Sequence, residues 1–193
     1  MSGKLTVKCK TVIIATAKAG KSKANLSWTK VPGATGYKIY GSKCGKPYKL
    51  LKKIKGQKTL KTTIKKLQTK SYKFYVVAYR AQGGKTITLS KSPSAHVIIN
   101  NAVKGHSNPT GIKVNKTSVT VKKGKSVKVK GTIVCKKKPL NKAHGAYVRY
   151  KSSDIHFAKV DKNGKITGKK KGKCKVYVYT QNGIWKAVNV TVK

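Results

Sequence analysis

Ser126-Val-Lys-Val-Lys-Gly-Thr-Ile-Val-Cys-Lys-Lys-Lys138 is the stretch whose reading decides the fold. Successive side chains of a β-strand point to opposite faces. In that reading Val127, Val129, Ile133 and Cys135 line one face, and Lys128, Lys130 and Lys136 line the other. Lysines at i and i+2 stand roughly 7 Å apart at a rise of about 3.4 Å per residue. That separation lies inside the Debye length of about 8 Å at physiological salt, so the charges repel. Most other candidate strands repeat this pattern of apolar core face and lysine outer face.

The 193 residues suffice for one or two domains with a proper core in each. Lys and Arg number 47 against 2 acids, a net charge of +45, and the only arginines are Arg80 and Arg149. Over a folded surface of roughly 9,000 Å² this is about one net charge per 200 Å². A small domain needs a net charge of only about 2–8 for solubility. Such an excess opposes compaction, so a ligand that offsets it is expected. The charge is not a tail or a stripe: residues 1–104 hold 24 basic residues, and residues 105–193 hold 23 basic and 2 acidic ones.

High charge alone would suit a disordered chain, but 38% of the residues are hydrophobic and the β-branched ones alternate. No run of 18 apolar residues is present to span a membrane as a helix. The apolar stretch Thr11–Ala17 is short and threonine-rich, and reads as a strand rather than an export signal. Further strands are expected at Ala24–Thr29, Tyr37–Tyr40, Tyr48–Leu51, Leu60–Ile64, Tyr72–Tyr79 and Thr86–Leu89. Short strands at this spacing imply an all-β fold and a β-sandwich. Polar Asn100–Gly111 reads as the connection, with a first domain at 1–101, a linker at 102–110 and a second domain at 111–193.

Two resemblances are carried by particular residues. Leu26-Ser-Trp28, Gly33-Ala-Thr-Gly-Tyr37-Lys-Ile-Tyr40 and Leu67-Gln-Thr-Lys-Ser-Tyr72-Lys-Phe-Tyr-Val-Val-Ala78 resemble a bacterial fibronectin type III domain. That resemblance implies a core tryptophan at Trp28, and a tyrosine corner at Leu67 and Tyr72. Ile112-Lys-Val-Asn-Lys116, Val119-Thr-Val-Lys-Lys-Gly124, Val148-Arg-Tyr-Lys-Ser-Ser-Asp154, Ala158-Lys-Val-Asp-Lys-Asn-Gly-Lys-Ile166 and Gly172-Lys-Cys-Lys-Val-Tyr-Val178 resemble the bacterial immunoglobulin-like group 2 domain. Tyr150 stands near that family's usual Trp, and Cys174 where it has a small residue. Together the resemblances imply two tandem immunoglobulin-like β-sandwiches, in an exported or surface-anchored bacterial protein. Neither implies one function, because sandwiches host many.

Enzyme chemistry finds no footing here. Paired carboxylates for glycoside hydrolysis would have to be Asp154 and Asp161; the group 2 resemblance implies that both are turn positions, and Asp161-Lys-Asn-Gly164 makes a β-turn unaided. Ser153, Asp154 and His156 are neighbours on one expected strand, where side chains point alternately, so they do not converge as a triad. His96, His106, His144 and His156 lack metal-site spacing, and a hard or borderline cation would be poorly held in this positive field. No catalytic residue, metal site or cofactor is expected. Cysteine leaves two options open: Cys135 with Cys174 and Cys9 with Cys44 either form disulfides or remain buried thiols.

What remains is lysine. Arginine's planar fork reads base edges and grips anions bidentately, whereas lysine is a hydrated point charge. A lysine surface therefore suits polyanion binding by counterion release. Sulfated glycosaminoglycans such as heparin and heparan sulfate are the first expectation. The alternatives are teichoic acid, nucleic acid including extracellular DNA, and a passive spacer in a larger surface adhesin; the chain itself is expected to be monomeric. The candidate contacts in the first domain are Lys49, Lys52, Lys53, Lys55, Lys61, Lys65, Lys66 and Lys70. In the second they are Lys122, Lys123, Lys125, Lys128, Lys130, Lys136, Lys137, Lys138, Lys169, Lys170, Lys171, Lys173 and Lys175.

Overall fold

A computed structural model describes residues 11–193. They form an all-β chain of tandem immunoglobulin-like sandwiches, whose only described helical element is a short 3-10 turn at Lys142–His144. In the first sandwich, β1 (Ala15–Gly20), β2 (Lys23–Trp28) and β5 (Lys61–Ile64) make one sheet in the order β1-β2-β5. Facing it are β3 (Gly36–Lys43), β4 (Lys49–Lys55), β6 (Ser71–Gln82) and β7 (Lys85–Lys91), in the order β4-β3-β6-β7. The short β8 (Ala95–Ile98) also pairs with β6.

In the second sandwich, β10 (Ser118–Val121), β17 (Trp185–Val192), β16 (Gly172–Thr180) and β13 (Val148–Ser152) are neighbours in that order, with β10 and β17 parallel. Opposite lie the sheet of β11 (Ser126–Lys128), β15 (Lys165–Gly168) and β14 (Ala158–Val160), and the pair β12 (Gly131–Val134) and β9 (Gly111–Val114).

Period-2 patterning builds both cores. Along β2, Ala24, Leu26 and Trp28 are buried while Lys23, Asn25 and Ser27 are exposed. Along β6 the buried positions are Tyr72, Phe74, Val76, Ala78 and Tyr79. One apolar cluster runs from Ile13 to Ile99, and a second from Ile112 to Val192. Trp28 is in the first, against Tyr37 at a ring separation of 5.3 Å. The tyrosine corner is present: the Tyr72 hydroxyl accepts the Gln68 N–H at 3.0 Å, and Leu67 packs against the same core. Removing an acceptor from a part-buried N–H costs about 1–3 kcal/mol. Tyr72→Phe is therefore expected to lower the unfolding free energy by that amount in urea titration, with the m-value unchanged.

The stretch Ser126–Lys138 keeps its two faces but is not one strand. Val129 is buried, Val127, Ile133 and Cys135 are half-buried, and Lys128, Lys130 and Lys136 are exposed. The strand breaks at Val129–Lys130: β11 pairs with β15, and β12 crosses to pair with β9. Hydrogen bonds enforce the crossing, with the Asn115 side chain accepting the Lys130 N–H at 2.8 Å and Tyr150 Oη accepting the Gly131 N–H at 3.2 Å. Gly131 is required because a Cβ there would stand 2.7 Å from Val178 and 2.8 Å from Val148. The strands expected in the first half are present with shifted ends, such as β1, which starts at Ala15 rather than Thr11, and β8 is an addition to them.

The polar connection is tied to both sandwiches. The Asn108 side chain bonds both the N–H and the carbonyl of Ile98, at 2.7 and 2.8 Å. Ser107 N–H donates to the Lys138 carbonyl at 2.9 Å.

Candidate functional site

All 21 candidate lysines are exposed. In the first sandwich they border one edge: β4 carries Lys49, Lys52, Lys53 and Lys55, and Lys52 Nζ donates to Thr62 Oγ1 of β5 at 3.0 Å. Lys61 begins β5, and Lys65, Lys66 and Lys70 follow it. Lys53 lies directly across the ladder from Lys38, and both ammonium groups stand over the Tyr79 ring, at 5.6 and 5.5 Å. Like charges directly opposite are unfavourable, and the negative ring face offsets part of that repulsion.

In the second sandwich two clusters separated in sequence come together. Gly124 N–H donates to the Gly168 carbonyl at 2.9 Å, and Gly168 N–H donates to the Lys125 carbonyl at 3.1 Å. The turn carrying Lys122, Lys123 and Lys125 is thereby laced to the start of the Lys169–Lys171 turn, with Lys193 bonded to Lys123 at 2.9 Å. Lys128 faces Lys165 across the ladder. Lys173 and Lys175 line an open groove of about 740 Å³ with Asp154 and Tyr177. Lys136, Lys137 and Lys138 lie elsewhere, against Ser107 and His106 of the connection. With an accessible surface of 11571 Å², each net charge has about 260 Å².

The acids serve turns. Asp161 Oδ1 accepts the N–H groups of Asn163 and Lys165 at 2.8 and 2.9 Å, which hold its carboxyl below the usual range. Ser153, Asp154 and His156 lie past the end of β13, in a turn and not on one strand: Asp154 Oδ1 accepts the His156 backbone N–H at 2.9 Å, and Ser153 Oγ accepts Lys175 N–H at 2.8 Å. Cys44, Cys135 and Cys174 are free thiols, Cys135 lying 3.1 Å from Ser107 Oγ. Cys9 lies outside the described residues.

Three features escaped the sequence reading. The first is a tyrosine row on the outer face of β3 and β6, where Tyr40 stacks on Tyr75 at 4.8 Å and Tyr48 meets Tyr75 edge-on at 4.6 Å. Lys91 and Lys73 stand over Tyr75 and Tyr48 at 4.2 and 4.4 Å. Strand alternation does assign Tyr40 and Tyr75 to outward positions, so the sequence carried a signal for this row.

The second is the docking of the sandwiches through the β16–β17 turn. Ala17 N–H donates to the Asn182 carbonyl at 2.8 Å, and Thr16 Oγ1 to the Gly183 carbonyl at 2.7 Å. Asn182 Nδ2 donates to the carbonyls of Ala17 and Pro109. Arg149 spans the junction, donating to the carbonyls of Ser94, Thr180 and Gln181 at 2.8–2.9 Å while stacking 4.7 Å from the Tyr179 ring. Burial holds its guanidinium below its usual pKa.

The third is a cluster beside that junction. Cys44, His96 and His144 have potential ligand atoms all within 4.8 Å of one another, with Cys44 Sγ 3.6 Å from His96 Nδ1. Burial first, then Arg149, His144 and Lys73, pull the His96 pKa down to about 4, and burial pushes the Cys44 thiol up to about 11. The unfolded chain binds the His96 proton near pH 6.5 and the folded chain only near 4, so folding expels a proton between those values. Stability contributed by neutral His96 is therefore complete above pH 6.5 and falls as pH drops toward 4. Allowing for partial exposure, the loss is of the order of 2 kcal/mol. Denaturant unfolding across this range is expected to show that slope in the parent and a flattened one in His96→Gln.

The second half of the chain has a family counterpart. Residues 109–192 match the family model described as Bacterial Ig-like domain (group 2). No curated protein matches the chain. Among solved structures, the chain is similar over 94% of its length to a C-terminal fragment of intimin, solved in complex with the intimin-binding domain of the translocated intimin receptor. There the identity is 15%, the TM-score 0.31 and the coverage of that fragment 63%. The FN1-FN3 domains of chicken CNTN1 give 12% identity, a TM-score of 0.37 and 65% coverage of that chain. The S-layer protein rSbsC gives 14%, 0.36 and 27%. The chain thus spans less than two thirds of each of these structures.

Proposed function

We propose that this chain is a non-enzymatic module of a bacterial surface or secreted protein that binds polyanions, sulfated glycosaminoglycans foremost, through its lysine surface. The proposed units are a fibronectin type III-like sandwich at 1–101 and a group 2 immunoglobulin-like sandwich at 111–193, joined by 102–110 and monomeric. The observation that carries this reading is the gathering of Lys122, Lys123 and Lys125 with Lys169–Lys171 at one end of an otherwise basic sandwich. A polyanion crossing that end neutralises several charges at once and releases its own counterions. Affinity then follows charge per length, with heparin above chondroitin sulfate and hyaluronan.

The tyrosine row favours a second reading. Tyr40, Tyr48 and Tyr75 under Lys73 and Lys91 combine stacking surface with positive charge, the pairing that holds single-stranded nucleic acid. Competition among heparin, single-stranded DNA and teichoic acid at one ionic strength separates the ligands. Heparin displacing the other two supports the first reading. DNA displacing heparin, with loss of that advantage in Tyr75→Ala, supports the second.

A further inference from the structure

Cys44 follows β3, and its N–H is pinned to the Ser71 carbonyl of β6 at 2.9 Å. His96 lies on β8 of the same sandwich, and its N–H donates to the Gln181 carbonyl of the other at 2.8 Å. His144 ends the 3-10 turn of the second sandwich. That turn is held from beneath by Gln181 Nε2, which donates to the carbonyls of Leu140, Asn141 and Gly145. Rigid, hydrogen-bonded backbone thus delivers all three side chains to one spot from both sides of the junction. The two imidazoles meet edge-on at 5.7 Å, and all three residues are half-buried.

We propose that Cys44, His96 and His144 form a Cu(I) site that bridges the two sandwiches. Sulfur and nitrogen ligands at about 2.3 and 2.0–2.1 Å from one ion stand about 3.6–3.8 Å apart in tetrahedral or trigonal geometry. The Cys44 Sγ–His96 Nδ1 separation, here a hydrogen-bond contact, is 3.6 Å and already matches that spacing. The His144 ligand atom lies within 4.8 Å of the other two, and binding requires it to draw in toward them. Thiolate with imidazole selects soft and borderline ions, which leaves Cu(I) and Zn(II) as the principal candidates. Charge decides between them. Cu(I) enters as the thiol proton leaves to solvent, so the site's net charge does not change. Zn(II) adds one positive charge beside Arg149 and Lys73, in a chain already at +45.

The test is anaerobic competition of the full chain against a chromophoric Cu(I) chelator, with X-ray absorption on the loaded protein. One Cu(I) per chain with one sulfur and two nitrogen neighbours is expected. Cys44→Ala, His96→Gln and His144→Gln should each weaken it by more than about a hundredfold, since losing even an outer-shell partner costs about 10–100-fold. Cys135→Ala with Cys174→Ala should leave it unchanged. Circular dichroism verifies that each variant is folded, and His144→Gln, at a surface turn, carries the test if His96→Gln unfolds. A sulfur-only shell, affinity indifferent to His144, or Zn(II) binding tighter than Cu(I) would overturn the assignment.

Discussion

Replacing Lys122, Lys123, Lys125, Lys169, Lys170 and Lys171 together by glutamine is expected to weaken heparin binding by at least about a hundredfold at physiological salt. Each exposed lysine near an anionic surface contributes about 0.5–1 kcal/mol. Six of them contribute about 3–6 kcal/mol, and each 1.4 kcal/mol is tenfold in affinity. Any one of the six contributes little by itself, so single substitutions should change affinity by only about fivefold or less. The same variant should be no less stable than the parent. These side chains are exposed and mutually repelling, so removing six charges relieves repulsion without disturbing the core. Isothermal titration and thermal melting on one preparation measure both effects. Affinity lost together with stability would mean that the lysines act through the fold instead.

Gly183→Ala is expected to undo the docking of the two sandwiches. Gly183 has φ 83°, in the left-handed region that favours glycine. A Cβ there would stand 1.9 Å from the Ala15 carbonyl oxygen and 3.0 Å from Thr16 Cα, both rigid backbone. Steric overlap adds to the cost of about 1–2 kcal/mol for a left-handed L-residue, so the turn must withdraw. Withdrawal breaks the bonds from Ala17 N–H and Thr16 Oγ1 and exposes Asn182, which is 1% accessible. A loss of about 3 kcal/mol or more is expected at the junction. In hydrogen exchange, the Ala17 and His96 amides should lose protection while those within β6 keep theirs. Unchanged protection at Ala17 and His96 would contradict the docking.

Much of the fold was legible because it is written in neighbours. Alternation along β2 and β6 assigns each side chain to its face, and the resemblance carried by Trp28, Tyr37, Leu67 and Tyr72 implies the core tryptophan and the tyrosine corner that are present. Exposure of the lysines was legible for the same reason. The break at Val129–Lys130 was not, because the apolar parity continues unchanged through it. Only partners distant in sequence, Asn115 and Tyr150, turn the chain there. The gathering of Cys44, His96 and His144 was illegible in the same sense. Those residues come from a loop, a strand and a 3-10 turn on two sandwiches, and the docking of Thr180–Gly183 brings them together. No periodicity encodes a contact between domains.

In the proposed function many exposed point charges hold the ligand through counterion release. Heparin affinity at a series of sodium chloride concentrations tests this most directly. The expected result is a straight fall of log K with log salt, steep enough to report several anionic groups engaged at once. The six-lysine variant should give a shallower slope, in proportion to the positive charges removed. A flat plot, or binding that persists undiminished in molar salt, would contradict binding by counterion release.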